Sequence, residues 1–160
     1  MATEKLKFKL ELYATMWDKP PHAEILINGQ SHYKGDITGT EDTPKVIEFE
    51  QELGEGKEQS LVILRSGKSQ NQTVVNQKGD ILKDQMLHIK GIEIDEIDIG
   101  ALVFNGVYTP SYPEPWATQQ REAGVELRPS FKNVTQMGHD GEWRFNFSSP
   151  FYMWLLENLY

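Results

Sequence analysis

The sequence predicts an all-β protein, an antiparallel β-sandwich of jelly-roll type closed by a short C-terminal helix. Three observations carry this. Most of the chain is divided into short stretches that alternate apolar and polar residues, the period of a half-buried strand. Two Asn-Gly pairs, Asn28-Gly29 and Asn105-Gly106, lie between apolar stretches and supply the positive φ angles of tight hairpins. A helical period is nearly absent before the final SPFYMWLLENLY. The 160 residues fit one domain with a core of its own. The expected division is a sandwich body over 1–108 and a segment over 109–160. That segment holds a proline-rich arm, a last strand and the helix, which complete the same domain or dock on a partner.

In chain order, LKFKLELYA places Leu6, Phe8, Leu10 and Leu12 on one face and Lys7, Lys9 and Glu11 on the other, a strand with one wet face. Two prolines in MWDKPPHAE end its pairing. AEILINGQSHY is a hairpin about Asn28-Gly29, and KGDITGTEDTP is a loop. KVIEFEQEL is a strand with Val46 on one side and Ile47 and Phe49 on the other. GEGKEQ is a turn, and SLVILRSG, apolar through its middle, is a central strand covered on both faces. KSQNQTVVNQKGDILKDQ holds two short strands about a Lys78-Gly79 turn. MLHIKGIEIDEIDIGALVF is long enough for two strands or one bent strand. Within it Ile92 and Ile94 fall out of phase with Ile97 and Ile99. A one-residue bulge at Asp95-Glu96 would return all four to one face; the alternative is a bend that carries the apolar side from one sheet to the other. Val103-Phe104 against Val107-Tyr108 makes a second hairpin about Asn105-Gly106.

From Thr109 to Pro129 prolines alternate with aromatics, which predicts an extended wrapping arm. GHDGEWRFNFSS is a turn and a strand with Trp143, Phe145 and Phe147 on one face. Ser149 then caps a helix with Pro150 at its first position. Phe151, Trp154, Leu155, Leu156 and Leu159 make that helix apolar nearly all round. Each gains about 1.5–3 kcal/mol on full burial, so the helix sits in a groove of its own chain or docks on another chain.

Composition narrows the function. The formal net charge is −8, and six of those charges come from Asp36 to Glu58, where eight acidic residues face only Lys45 and Lys57. Such a surface repels a phosphate backbone, so no nucleic-acid partner is expected. There are no cysteines, which excludes disulfides and thiolate metal sites. MATEKLKFKLEL lacks the apolar run of a signal peptide, and no stretch has the length of a membrane span; neither secretion through a signal nor membrane insertion is expected. His22, His32, His88 and His139 lack zinc-ligand spacing. No nucleophile elbow, serine–histidine–aspartate order or phosphate loop is present, and no carboxylate pair stands out. The chain reads as non-catalytic, with no obligatory cofactor.

Two binding sites are candidates. Asp95, Glu96 and Asp98 offer the hard oxygen ligands that calcium takes, with Asp36 and Asp42 or Asp80 and Asp84 to complete a set; otherwise they are solvent-facing residues on a bulged strand. Trp17, Tyr108, Tyr112 and Trp116 lie among prolines, where exposed rings stack on sugar faces; otherwise they cover the sandwich edge or fill a partner's groove. The triplets at Asn71, Asn133 and Asn146 read as chance.

Two resemblances add to this. The order AEILINGQ, SLVILRSG, IEIDEIDIGALVFNGVY, over about residues 5–110, resembles the β-sandwich of carbohydrate-binding modules of the calcium-dependent, xylan-binding type. It implies glycan binding, with Asp95, Glu96 and Asp98 near a metal loop. The YPEPW segment and the ending GEWRFNFSSPFYMWLLENLY resemble small structural proteins of tailed bacteriophages, particularly marine and cyanobacterial ones. This implies a non-enzymatic structural or decorating protein of the virion, made in the bacterial cytoplasm. It would assemble in many copies with other virion proteins through Tyr112, Trp116, Phe151, Trp154, Leu155 and Leu159. A carbohydrate-binding module that adheres to host or environmental glycans is the alternative expectation.

Overall fold

The computed structural model describes residues 2–16, 19–67, 74–75, 77–78 and 81–158. Two antiparallel sheets face one another. The first has the order β12-β8-β1-β4, formed by β12 (Gln136–Met137), β8 (Met86–Ile94), β1 (Thr3–Thr15) and β4 (Lys45–Gly54), with β9 (Ile97–Asp98) also paired to β8. The second has the order β11-β10-β13-β5-β2-β3, formed by β11 (Phe131–Lys132), β10 (Val107–Pro110), β13 (Gly141–Ser148), β5 (Glu58–Ser66), β2 (His22–Ile27) and β3 (Gln30–Asp36). A small ribbon, β6 (Val74–Val75) with β7 (Ile81–Lys83), stands apart. Two helices, α1 (Trp116–Glu122) and α2 (Phe151–Asn158), follow β10 and β13. β13 lies in the middle of the six-stranded sheet and β12 at the edge of the other, so the segment after residue 108 completes both sheets.

Alternation builds the core. Leu6, Phe8, Leu10 and Leu12 of β1 turn inward and are buried, while Lys5, Lys7 and Lys9 turn out opposite Glu52, Glu50 and Glu48 of β4. Lys9 also bridges Glu93 of β8 at 3.3 Å, which ties the outer face together across strands. That hydrogen bond is the chief reason the Lys9 ammonium titrates above its ordinary range. From the other sheet come Ile25, Ile27, Leu61 and Ile63, with the row Trp143, Phe145 and Phe147. Phe8 meets Phe147 across the two layers at 6.2 Å. β5 is central, paired on both sides, and Val62 is buried along with Leu61 and Ile63.

The Asn28-Gly29 hairpin forms as expected, with φ of 50° and 85° at its two central residues. Asp95-Glu96 is not a bulge. The chain reverses there in a two-residue turn with φ of 54° and 68°, pairing Ile94 with Ile97. Asp95 is of a residue type enriched in the left-handed region, which eases a turn made without glycine. The bulge lies earlier in β8, where the register against β1 jumps from Glu11–Gly91 to Leu12–Ile89 and leaves Lys90 unpaired.

The second Asn-Gly hairpin does not form. Gly100–Asn105 is a 3-10 helix that drives Leu102 and Val103 into the core, and β10 pairs with β11 and β13 instead. Gly106 is needed for space: its backbone is extended, and a Cβ there would sit 2.2 Å from the Trp143 ring. The arm after Thr109 is not extended throughout either. Glu114 accepts the Thr118 N–H at 2.9 Å, and Pro113 accepts that of Ala117 at 2.8 Å, which starts α1.

Nor is Ser149 the cap of α2. The carboxylate of Glu4, on β1, accepts the Phe151 N–H at 2.8 Å. Tyr152 donates its hydroxyl to Asp95. The helix is thereby fixed over the sandwich end where β1 starts and β8 finishes. Phe151 and Leu155 are buried, and Trp154 packs edge-on against Phe145 and Phe147.

A candidate aromatic cleft

At the opposite end of β8, where the strand begins at Met86, lies a cleft of about 650 Å³. Its walls come from four places: the 3-10 turn (Phe104), the arm with α1 (Tyr112, Trp116, Leu127, Arg128), the strands β10 and β11 (Tyr108, Phe131), and the loops around β12 (Asn133, Thr135, Gln136, His139). Three of the four aromatics expected for sugar binding therefore meet at one place. Trp17 lies outside the described residues.

The cleft is built on buried polar groups. Arg65, at the end of β5, is buried and donates through Nη2 to the Gln85 carbonyl at 2.8 Å and to Gln85 Oε1 at 2.7 Å. Its Nη1 lies 3.8 Å from Asp140. Burial lowers its pKa, against the opposing pull of Asp140, Tyr108 and Asp84. Next to Asp140, His139 is held by its backbone. The Tyr108 hydroxyl donates to the His139 carbonyl at 2.6 Å and accepts the His139 N–H at 2.9 Å. Burial pushes the Tyr108 phenol up to about 12, only partly opposed by that N–H and by Arg65. Tyr108 is thus a supporting wall, with its ring buried and its hydroxyl engaged, and is unavailable to stack on a ligand.

Above this base, the His139 ring stands 5.2 Å from Tyr112, edge-on, and 5.3 Å from Trp116. Tyr112 and Trp116 are 6.1 Å apart. Tyr112 donates its hydroxyl to the Arg128 carbonyl at 2.6 Å, which ties the two limbs of the arm together. Its phenol is raised chiefly by burial, opposed by Arg128 and Arg121. Tyr112 and Trp116 remain half-buried, with ring surface on the cleft. Phe104, Phe131, Arg128 and His139 were not legible as site residues. Phe104 stood in a presumed hairpin, Arg128 and Phe131 lie on either side of Pro129 at the far end of the arm, and His139 lies beyond it.

The described carboxylates nominated for calcium lie apart and have other surroundings. Asp95 takes the Tyr152 hydroxyl, Asp98 accepts the Gly100 N–H at 2.8 Å, and Glu96 points to solvent. Among the described residues no group of three or more His, Asp or Glu is gathered to hold a metal ion. Asp80 lies outside the described residues. Asp95 also follows Met86 by the whole of β8, roughly 30 Å at strand rise, so it cannot reach the cleft.

The expected docking residues also separate. Tyr112 and Trp116 face the cleft. Phe151 and Leu155 belong to this chain's own core and Trp154 packs on it, because they share one side of α2; Leu159 lies outside the described residues. The exposed apolar side of α2 consists of Tyr152, Met153 and Leu156. No helix among the described residues is long and apolar enough to cross a membrane.

No family model matches the sequence, and no curated protein does. Two solved structures share the fold. One is vCBM60 in complex with galactobiose, 9% identical, with a TM-score of 0.52 over 88% of this chain and 98% of that one. The other is a selenomethionine form of vCBM60, from work linking two families of calcium-dependent carbohydrate-binding modules by circular permutation. It is 6% identical, with a TM-score of 0.51 over 88% of this chain and 89% of that one. The chain therefore has a β-sandwich like that of carbohydrate-binding modules. The resemblance to phage structural proteins finds no counterpart in these comparisons.

Proposed function

We propose that this protein is a non-catalytic glycan-binding module that holds sugar in the aromatic cleft. The observation that carries the reading is the convergence of Tyr112, Trp116 and His139, from separate segments, on one open cleft over a buried, hydrogen-bonded base. Ring faces cover the apolar face of a pyranose, and Asn133, Thr135 and Gln136, which also line the cleft, offer hydrogen bonds to its hydroxyls. The likeness to vCBM60, one form of which holds galactobiose, supports the same reading.

A glycan array run with calcium and again with chelator, on the native chain and on Trp116→Ala, tests it. Retention of at least one glycan by the native chain and its loss in Trp116→Ala is expected. Asp95→Asn with Asp98→Asn leaves retention unchanged, since both lie at the far end of β8. Absence of any retained glycan in both conditions, or full retention by Trp116→Ala, overturns the proposal.

Attachment of the module to a larger body, such as a virion, is a second reading. It rests on Tyr152, Met153 and Leu156, which α2 leaves exposed together. Met153→Asp with Leu156→Asp keeps the helix's core side intact and should abolish incorporation into particles. Normal incorporation removes this reading and leaves the first untouched.

A further inference from the structure

The cleft's aromatic surface divides into two parts, and the division bears on what it holds. Tyr108 is buried. Phe131 has Tyr108 stacked at 6.1 Å and the Arg128 guanidinium 5.1 Å from its centroid, so its ring surface is occupied. Open ring surface remains on Tyr112 and Trp116, which contact each other, and separately on Phe104. Phe104 is 43% exposed, yet its neighbours Leu102 and Val103 are core residues that fix the 3-10 turn carrying it. Among the described residues no ring or guanidinium packs on it. A lone exposed aromatic is ordinary on a surface; one on a cleft wall, carried by a turn whose neighbouring residues are anchored in the core, offers a second ring face beside that of the Tyr112–Trp116 pair.

The charges bear on the ligand too. The cleft wall carries one carboxylate, Glu126, and one guanidinium, Arg128, both exposed, and the chain as a whole carries −8. An anionic sugar would approach against that net field, which a neutral sugar does not feel.

Resting on the glycan reading, we infer that the cleft takes two rings of an uncharged oligosaccharide, one over Tyr112–Trp116 and one over Phe104. Phe104 is then a specificity-determining residue for chain length.

Isothermal titration of the native chain with galactose, galactobiose, galactotriose and digalacturonate, and with glucose, cellobiose and cellotriose, tests this. The disaccharide of at least one neutral series should bind about tenfold or more tighter than its monosaccharide, the increment expected of a second stacked ring. The trisaccharide should add little, and digalacturonate should bind more weakly than galactobiose. Phe104→Ala should abolish the increment between the two, bringing the disaccharide down to the monosaccharide's affinity. Phe104 is exposed, so this variant folds; its thermal midpoint serves as the check. Equal affinity for one ring and two, full disaccharide affinity in Phe104→Ala, or tighter binding of digalacturonate overturns the inference. Failure of both neutral series also overturns it, while the glycan reading itself is decided separately by the array.

Discussion

Two aromatic clusters occupy this molecule, and they are opposite in kind. The row Trp143, Phe145 and Phe147, joined by Phe151 and Trp154 from α2, is closed. Its rings meet at 5.7–6.3 Å across strand and helix, and the three strand residues are fully buried. The group Tyr112, Trp116 and His139 has ring spacings only slightly different, yet it stays half-buried beside a cleft. Ring contact alone therefore does not separate structure from function here. What separates them is the backbone beneath. In β13 the pleat aims every second side chain at the opposing sheet, so rings are inward by construction. The open cluster has no such pleat: the Tyr112 hydroxyl is held on the Arg128 carbonyl, Trp116 rides on the start of α1, and His139 is held through its backbone by Tyr108.

The largest effect that would break this contrast is truncation in the closed cluster. Phe147→Ala removes a fully buried ring that touches Phe8, Phe145, Phe151 and Trp154. A loss of about 3–5 kcal/mol is expected by chemical denaturation, with the denaturant slope unchanged. A loss below about 1 kcal/mol would mean that the two sheets do not close on this ring.

Tyr108 joins the two regions, since its ring is core and its hydroxyl grips the loop of the cleft. Its phenol ionises near 12 in the folded chain, against about 10 unfolded. Between those values the unfolded state gives up the proton and the native state keeps it, so stability is full below pH 10 and declines as pH rises toward 12. The decline attributable to this residue is on the order of 2–3 kcal/mol. Denaturation midpoints of the native chain and Tyr108→Phe across pH 9–12 check this. The variant should lose less stability over that window, and parallel curves would show that the hydroxyl is not sequestered.

How far the sequence revealed these regions follows from the same contrast. Leu6 to Leu12 and Trp143 to Phe147 announced their faces because strand geometry repeats every two residues, and burial then depends only on local pattern. The slip among Ile92, Ile94, Ile97 and Ile99 was visible, but its cause was not. A bulge and a two-residue turn shift phase alike, and the decision rests on positive φ at Asp95 and Glu96, which neither residue type dictates. Asn105-Gly106 misled for a related reason: the glycine answers to the Trp143 ring, far away in sequence, and no local rule reports that. Tyr112 and Trp116 were legible as exposed-aromatic candidates from their prolines. Phe104, Arg128 and His139 were not, because only the tertiary fold brings them to the same cleft.

A smaller effect tests whether α2 belongs to the closed region. Glu4 supplies the acceptor at the helix start from another strand, so Glu4→Ala leaves the Phe151 N–H unsatisfied and frees the helix end. About 1 kcal/mol of stability should be lost, with earlier hydrogen exchange along 151–158. Unchanged exchange there would mean that Phe151 and Leu155 anchor the helix without the cap.

A comparably small effect on stability should come from the open cluster. Trp116 is half-buried in α1, and its ring touches only Tyr112 and His139 among the described rings. Removing it uncovers surface that is already partly wet and leaves no enclosed void, so the cavity cost that dominates at Phe147 does not arise. Neither the Tyr112–Arg128 nor the Tyr108–His139 hydrogen bond passes through it. Trp116→Ala should therefore cost no more than about 1–2 kcal/mol while glycan retention disappears. A loss as large as that of Phe147→Ala would place Trp116 in the closed class, and the loss of sugar binding in that variant would then be a consequence of misfolding.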